Sequence, residues 1–540
     1  MHIVVDWRPG GVALVDDHGT ETLVPEAGFA AAVAEREGEH PRWVWTDTAQ
    51  WYPPLLGAGV RIERCHDLRL VDALLAGIAG RPPRRDWGRA PAEPRADTLF
   101  DLDSATDAAP TTASPVDWQQ QQAAIAAHVD PARLTLLAAA ESAGALTAVE
   151  MQHAGLPWSI ETHDTLLTEL LGERPAPGRR PVRLDELAVE VERLLGVGPV
   201  SIDSPPALVA ALRRAGIDVQ SARSGELKRI DHPAIAPLLQ YKTLSRLHTA
   251  NGWNWIDEWV HDGRFRPTFV PGGVVTGRWA SDGGGALQLP KQVRAAVRAD
   301  PGWALVVADA AQLEPRILAA LSGDAAMARA GAGVDLYAGI VESGAVESRE
   351  HAKMGMLGAM YGGTTGVSAQ VLPQLARSFP RAIGYVETAA RAGERGERVN
   401  TRLGRTSPLP SASWLERQAA AHSEGWDATA GREVRSAARS WGRFTRNFVV
   451  QGTAAEWALA WMAGVRRRLW SPGTVPLTAQ PHLVFFVHDE LIVHSPIDRV
   501  AEVEHALRDA AADAGRIVFG ATPVTFPVTV ATVQRYSDAK

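Results

Sequence analysis

Acidic residues stand at two places where the chain reads as the end of a buried strand. In FFVHDELIVHS, residues 485–495, His488, Asp489 and Glu490 separate two apolar runs, the pattern of a hairpin with core-facing arms and a polar tip. In WALVVADAAQLEPRILAALSGD, residues 303–324, the apolar run Ala304–Ala308 stops at Asp309. A helix is expected from near Leu313, with Pro315 acceptable in its first turn. A third segment, SREHAKMGMLGAMYGG at 348–363, spaces Arg349, Lys353, Leu357 and Tyr361 at steps of four, a slowly rotating stripe along one helix face. Lys353 is one of five lysines in a chain that otherwise uses arginine.

Taken singly, each feature has an ordinary explanation: a solvated turn aspartate, a helix cap, an exposed basic face. Taken together they suggest chemistry. Strand ends combine a rigid backbone with a side chain aimed off the sheet edge. Two strand-end aspartates, separated in sequence by a helix carrying Arg, Lys and Tyr, could hold two divalent cations and a triphosphate.

The elements that would position these residues follow from periodicity. Residues 1 to about 78 alternate short strand runs (IVVDW, GVALVDD, RWVWTD) with helical ones (AGFAAAVAERE, LRLVDALLAGIA), an α/β unit. A Pro-, Ala- and Asp-rich connector is expected at about 79–117. From 118 to about 260 the pattern is helical. LAVEVERLLGV is expected to stop at Gly196, PPALVAALRRAG to start after Pro205 and Pro206, and IAPLLQYKTLSRLHTANGWNWIDEWV to run on as a long helix. Beyond 265, TFVPGGVVTGRWA, WALVVADA, HLVFFVHDELIVHS and PVTFPVTVATV predict a mixed sheet interrupted by a large helical insertion.

With these segments in order, the chain resembles the family A DNA polymerases, the DNA polymerase I type, over about 157–540. DAAQLEPR is similar to the family's first motif, REHAKMGMLGAMYGG to its second, VHDE to its third, and RFTRNFVVQGTAAE to the segment between them. VTGRWAS and LQLP are similar to its primer-contacting stretch. The resemblance implies an α/β multidomain protein: an exonuclease-like (RNase H-like) domain at 1–155, then a right-hand polymerase with thumb 156–265, palm 266–322 and 446–540, and fingers 323–445.

It also implies roles. Asp309, Asp489 and the Ala310 carbonyl would hold two Mg2+ ions, with Mn2+ as a substitute, and Glu490 would belong to the catalytic set. Arg349 and Lys353 would contact the triphosphate, Lys353 donating a proton to the leaving pyrophosphate. Glu314 would act as the steric gate against a 2′-hydroxyl, with Gln312, Leu357 and Tyr361 around the incoming nucleotide and Tyr361 on its template side. Arg278, Gln288, Arg443, Asn447, Gln451 and His488 would contact nucleic acid. Of these, Arg278, Arg443 and Gln451 would test the minor-groove acceptors that all base pairs share. The partners implied are primer–template DNA and deoxynucleoside triphosphates, bound by a monomer without membrane attachment.

Departures from the family pattern are specific. Leu357 stands where most members carry Phe or Tyr, Tyr337 where a His is usual, and Ala286 and Leu289 where asparagines are usual. These predict slower or weaker nucleotide use. In the N-terminal domain the first strand reads VVDWRPG, Trp51 replaces a second aspartate, and no Tyr lies between 53 and 240. Proofreading is therefore expected to be absent, and 540 residues are not expected to accommodate the family's 5′-nuclease domain.

Bulk properties agree with a folded multidomain chain of 46% hydrophobic and 22% charged residues. The net charge of −7 does not advertise a nucleic-acid binder, although a basic groove can sit on an acidic protein. A single cysteine, Cys65, excludes an internal disulfide and a Cys-cluster zinc site and suits a reducing, cytoplasmic setting, which the resemblance places at a bacterial nucleoid. Two alternatives of other classes are a catalytically weak nucleic-acid-binding scaffold and an active 3′–5′ exonuclease. Intact Asp309, Lys353 and Asp489 oppose the first, and the missing N-terminal carboxylates oppose the second.

Overall fold

The computed structural model describes residues 1–84, 87, 115–363, 366–420, 428–470 and 475–539. The central stretch of the expected connector, 88–114, lies outside the described residues. By its internal contacts the chain divides into two units: Met1–Ala154 with Thr268–Asp282 and Val306–Thr532, and Gly155–Pro267 with Gly283–Leu305 and Val533–Lys540.

In the first unit, the N-terminal segment folds around a five-stranded sheet in the order Glu21–Val24, Gly11–Asp16, His2–Arg8, Arg42–Trp45, Arg64–Asp67. The first three strands are antiparallel and the last two join in parallel. Ile3, Val5, Trp43 and Trp45 are buried in one cluster and Val4, Ala13 and Val44 in another. Because both faces are covered, these strands read as unbroken apolar runs rather than alternating ones. On the central strand, Asp6 is 1% exposed and ion-paired to Arg8, while Trp7 stacks on Trp51 at 4.7 Å. Burial pushes the Asp6 carboxyl up to about 6 against the pull of Arg8.

Helix Pro131–Ala154, 24 residues with a hydropathy of 1.2, is long and apolar enough to cross a membrane by length and composition. Its apolar window is 78% buried inside the fold, which makes it a core helix here. It carries two buried carboxylates, Glu141 and Glu150. Glu150 accepts from Arg61 at 2.9 and 3.0 Å, from Arg466 at 2.7 and 3.0 Å, and from the Tyr52 hydroxyl at 2.6 Å. Arg61 and Arg466 also lie over the Trp470 ring. Burial alone would raise Glu150, but the two guanidinium charges outweigh it and hold the carboxyl at about 2.

A second sheet, mostly in this unit, runs in the order His482–Val487, Glu490–Pro496, Trp303–Ala310, Val528–Val533. The first two strands form an antiparallel hairpin in which Val487 pairs with Glu490, leaving His488 and Asp489 as a two-residue tip. His488 adopts φ 55°, as tight hairpin turns require. Helices from Leu313–Ser322 to the 41-residue Ala428–Arg468 are inserted between the strands Trp303–Ala310 and His482–Val487.

The second unit packs helices Ile160–Leu171, Val182–Leu195, Pro205–Arg214, Ile235–Asn251 and Trp253–Trp259 with a small sheet ordered Leu156–Pro157, Arg264–Phe265, Val260–His261. Trp158, His163, Trp255 and Phe265 form its aromatic core, with ring centroids 4.8–5.8 Å apart. Two sequence expectations are corrected. The expected long helix breaks at Gly252, whose extended backbone leaves no room for a Cβ against the His248 carbonyl. The helix expected after Pro205 and Pro206 instead begins at Pro205, because the first turn has no use for the missing N–H; Ser204 caps it.

Glu150→Ala strands two buried arginines and is expected to cost about 3–5 kcal/mol in denaturant unfolding. Because Glu150 titrates below its unfolded value, its stabilisation is present above about 4.5 and is lost as pH falls toward about 2. Unfolding curves of the wild type and the variant should therefore converge in strong acid; curves that stay parallel would contradict the assignment.

Candidate active site

Asp309 is the penultimate residue of strand Trp303–Ala310, after five buried residues, and is half-buried at the edge of the sheet. The hairpin tip comes beside it because the Ala310 N–H donates to the Asp489 carbonyl oxygen at 2.9 Å. One hydrogen bond thus joins the residue after the first aspartate to the second aspartate itself. Burial pushes Asp489 up to about 6, helped by the charges of Glu314 and Asp309 and opposed by Arg278. Glu490, 3% exposed, opens the returning strand, and His488 at the tip is exposed.

A chain of side chains runs alongside. Arg278 is ion-paired to Glu314 Oε1 at 2.5 Å, Tyr361 donates its hydroxyl to Glu314 Oε2 at 2.7 Å, and Gln451 Nε2 donates to the Tyr361 hydroxyl at 3.3 Å. Four residues from four separated segments therefore converge, and both Glu314 oxygens are engaged. Burial raises the Tyr361 hydroxyl, with Glu314 adding to it. Arg443, Asn447 and Gln451 follow at steps of four on helix Ala428–Arg468, with the buried Val449 on the opposite face. Arg443 packs its stem against Gly362, the left-handed cap that ends helix Arg349–Tyr361.

The stripe on that helix is present as expected, with Ser348 capping its start. Lys353 is exposed and Leu357 half-buried. Arg349 is ion-paired to Asp335 at 2.6 Å and stands over the Tyr337 ring at 5.6 Å. Tyr337 itself is buried, which pushes its hydroxyl up to about 12. Gln312 stands just before helix Leu313–Ser322. With φ 47° it lets the chain turn from strand to helix, and its side chain accepts from Leu336 N–H at 3.0 Å. Gln288 belongs to the second unit, where it accepts from Arg246 at 3.4 Å. Ala286 and Leu289 are buried there.

Sequence reasoning missed two supporting residues. Arg316, 1% exposed, donates to the carbonyls of Ala311, Gly331, Gly333, Val334 and Thr525, tying together the loops beside the Asp309 strand. Its signal was an arginine at the head of an apolar run, RILAAL. Asp335 caps helix Leu336–Glu342 through the N–H groups of Tyr337 and Ala338 while holding Arg349; only its N-cap spacing was legible.

The donor set fits a hard divalent cation. Asp309, Asp489 and the Ala310 carbonyl offer oxygen ligands, and magnesium binds through one or two carboxylates completed by water and substrate phosphate. Such a cation would neutralise the negative charge of Glu314 and Asp309 that adds to the effect of burial on Asp489. Manganese binding, followed by the spin resonance of the free ion, should weaken in Asp489→Asn by more than the roughly tenfold typical of losing an outer-shell partner. Undiminished binding would contradict the assignment.

Comparison with known proteins places this geometry in context. The model of DNA polymerase family A matches residues 182–537, more than half of the chain. The DNA polymerase I of Chloroflexus aurantiacus is 27% identical over 343 residues, covering 58% of this chain and 33% of that protein. The thermostable DNA polymerase I of Thermus filiformis is 28% identical over 433 residues, covering 69% of this chain and 47% of that protein. The chain thus spans between a third and a half of the length of these relatives. The POL domain of Pol1 from M. smegmatis, in complex with DNA primer-template and dNTP, superposes with a TM-score of 0.69 at 22% identity over 98% of this chain and 93% of that one, a likeness of fold.

Proposed function

The chain belongs to DNA polymerase family A, and from that premise we propose that it extends a primer 3′ end with deoxynucleoside triphosphates under template direction, by two-metal phosphoryl transfer. The observation that carries this reading is the convergence of Asp309 and Asp489 through the Ala310–Asp489 hydrogen bond, with the Arg278–Glu314–Tyr361–Gln451 chain beside them. The primer-template and dNTP of the solved M. smegmatis neighbour support the same partners here. In this reading the palm comprises 266–322 and 446–540, the fingers 323–445 and the thumb 156–265.

Asp309, Asp489 and the Ala310 carbonyl would hold the divalent cations. When bound, these supply activation of the primer 3′-hydroxyl and neutralisation of charge on the triphosphate. Arg349 and Lys353, on one helix face, bind phosphate oxygens, with Arg349 exchanging Asp335 for the ligand. Lys353 then hands a proton from Nζ to the departing pyrophosphate. Glu314, clamped through both oxygens, presents a fixed wall to the 2′ position of the incoming sugar. Arg278 and Gln451 donate to the minor-groove acceptors that every correct base pair presents, so they read pairing geometry rather than base identity.

The N-terminal segment is read as an exonuclease-like domain without editing, in a chain serving repair or gap filling. Its mixed five-stranded sheet supports the domain assignment. Metal-dependent exonuclease chemistry needs several carboxylates around two ions. Here Asp6 is closed off by Arg8, and Trp7 stacks on Trp51 where a second carboxylate is expected.

The test is extension of an annealed primer–template with four deoxynucleotides and magnesium. The unmodified chain should extend to the template end, and Asp489→Ala should lose at least about a thousandfold in rate while still binding the duplex. Duplex binding without extension by the unmodified chain would favour the scaffold alternative.

A further inference from the structure

The loop that carries Arg278 rests on the N-terminal segment. Glu141, 2% exposed on helix Pro131–Ala154, is ion-paired to Arg405. The Arg405 guanidinium lies flat against Gly277, the residue before Arg278. A Cβ at Gly277 would meet Arg405 Nε, Cζ and Nη2 at 2.5–2.9 Å, and its φ of 86° also favours glycine. On the same bed, a Cβ at Gly272 would stand 3.5 Å from Glu141 Oε2, and one at Gly144 would stand 3.5 Å from the Trp279 ring. Trp279 in turn packs edge-on against Phe486, in the strand that leads to Asp489.

Arg405 sits in a turn fastened to the Gln451 helix as well. Thr401 N–H donates to the Arg405 carbonyl at 2.9 Å, Arg402 N–H to Thr453 Oγ1 at 3.0 Å, and Leu403 N–H to Glu456 Oε2 at 2.9 Å. Thr401 Oγ1 also donates to Glu456. Gly452, next to Gln451, leaves space for the Thr401 side chain and for the Thr276 carbonyl. The two minor-groove donors thus share one buried support, built from Glu141, Arg405 and Glu456. Glu456, pushed up to about 7 by burial with Glu141 adding to it, is one of two carboxylates facing a single guanidinium.

We propose that Glu141 and Arg405 are positioning residues for nucleotide selection, through which a helix of the N-terminal segment fixes the backbone at Gly277 and so the placement of Arg278. The inference rests on the polymerase reading and gives the editing-deficient segment a role in accuracy at the insertion step. Glu141→Gln keeps the side-chain shape and removes the charge that orients Arg405. Arg405→Lys keeps a charge for Glu141 and removes the flat contact with Gly277.

The test is single-nucleotide incorporation, with kcat and KM measured separately for matched and mismatched nucleotides. Both variants should lose selectivity by about tenfold, the scale of coupling within one network. In an Arg278→Ala background, Glu141→Gln should change selectivity no further, which a merely structural role would not produce. Unchanged selectivity in either folded variant, or an equal further loss without Arg278, would overturn the proposal. If matched incorporation by the unmodified chain is itself absent, the polymerase reading fails and this inference falls with it; intact matched incorporation with unaltered selectivity overturns this inference alone.

Discussion

A single main-chain hydrogen bond, from Ala310 N–H to the Asp489 carbonyl, sets the condition for everything else at the site. It locks the end of one strand to the tip of a hairpin and forces two carboxylates together at a sheet edge. Burial pushes the Asp489 carboxyl up, and repulsion from Glu314 and Asp309 adds to it. Arg278 opposes the repulsion, and a divalent cation would remove it. Backbone strain is present at the same place: Gln312 and His488, two of the four non-glycine residues with positive φ among the described residues, each lie within three residues of one of the aspartates. Such strain, of the order of 1–3 kcal/mol per residue, persists only where surrounding structure over-determines it. The Gln312 bond to Leu336 and the five-carbonyl grip of Arg316 are that surrounding structure.

The N-terminal segment belongs to this support rather than standing apart from it. Its helix Pro131–Ala154 contributes Glu150 to a buried network with Arg466, and Glu141 to the support beneath Arg278. A buried ion pair is weak evidence for net stability, since desolvation offsets much of the Coulomb gain, but it strongly specifies which surfaces meet. The pairing of Asp6 with Arg8 and the Trp7–Trp51 stack follow the same logic on the central strand. Asp6 and Trp51 are both buried there.

Legibility in the sequence tracked the range of the interaction. The hairpin tip, the strand ending at Asp309 and the helix with its four-residue stripe are local patterns that periodicity exposed, whereas Arg443, Asn447 and Gln451 were singled out through family resemblance. Gly252 broke an expected helix because the crowding at His248 depends on backbone geometry that composition does not encode. The convergence of Arg278, Glu314, Tyr361 and Gln451 was anticipated only through family resemblance, since their contacts join distant segments. The partners of Glu141 and Glu150, Arg405 and Arg466, lie 264 and 316 residues away in sequence. No local pattern reports such pairs.

The central claim is that the paired strand-end aspartates serve nucleotide addition chosen by a template. Its most direct measurement is single-turnover incorporation on four primer–templates that differ in one templating base, with the unmodified chain and Asp309→Ala. The account predicts that the nucleotide added follows the templating base in all four cases and that Asp309→Ala abolishes addition. Incorporation indifferent to the template, or undiminished in Asp309→Ala, would contradict it.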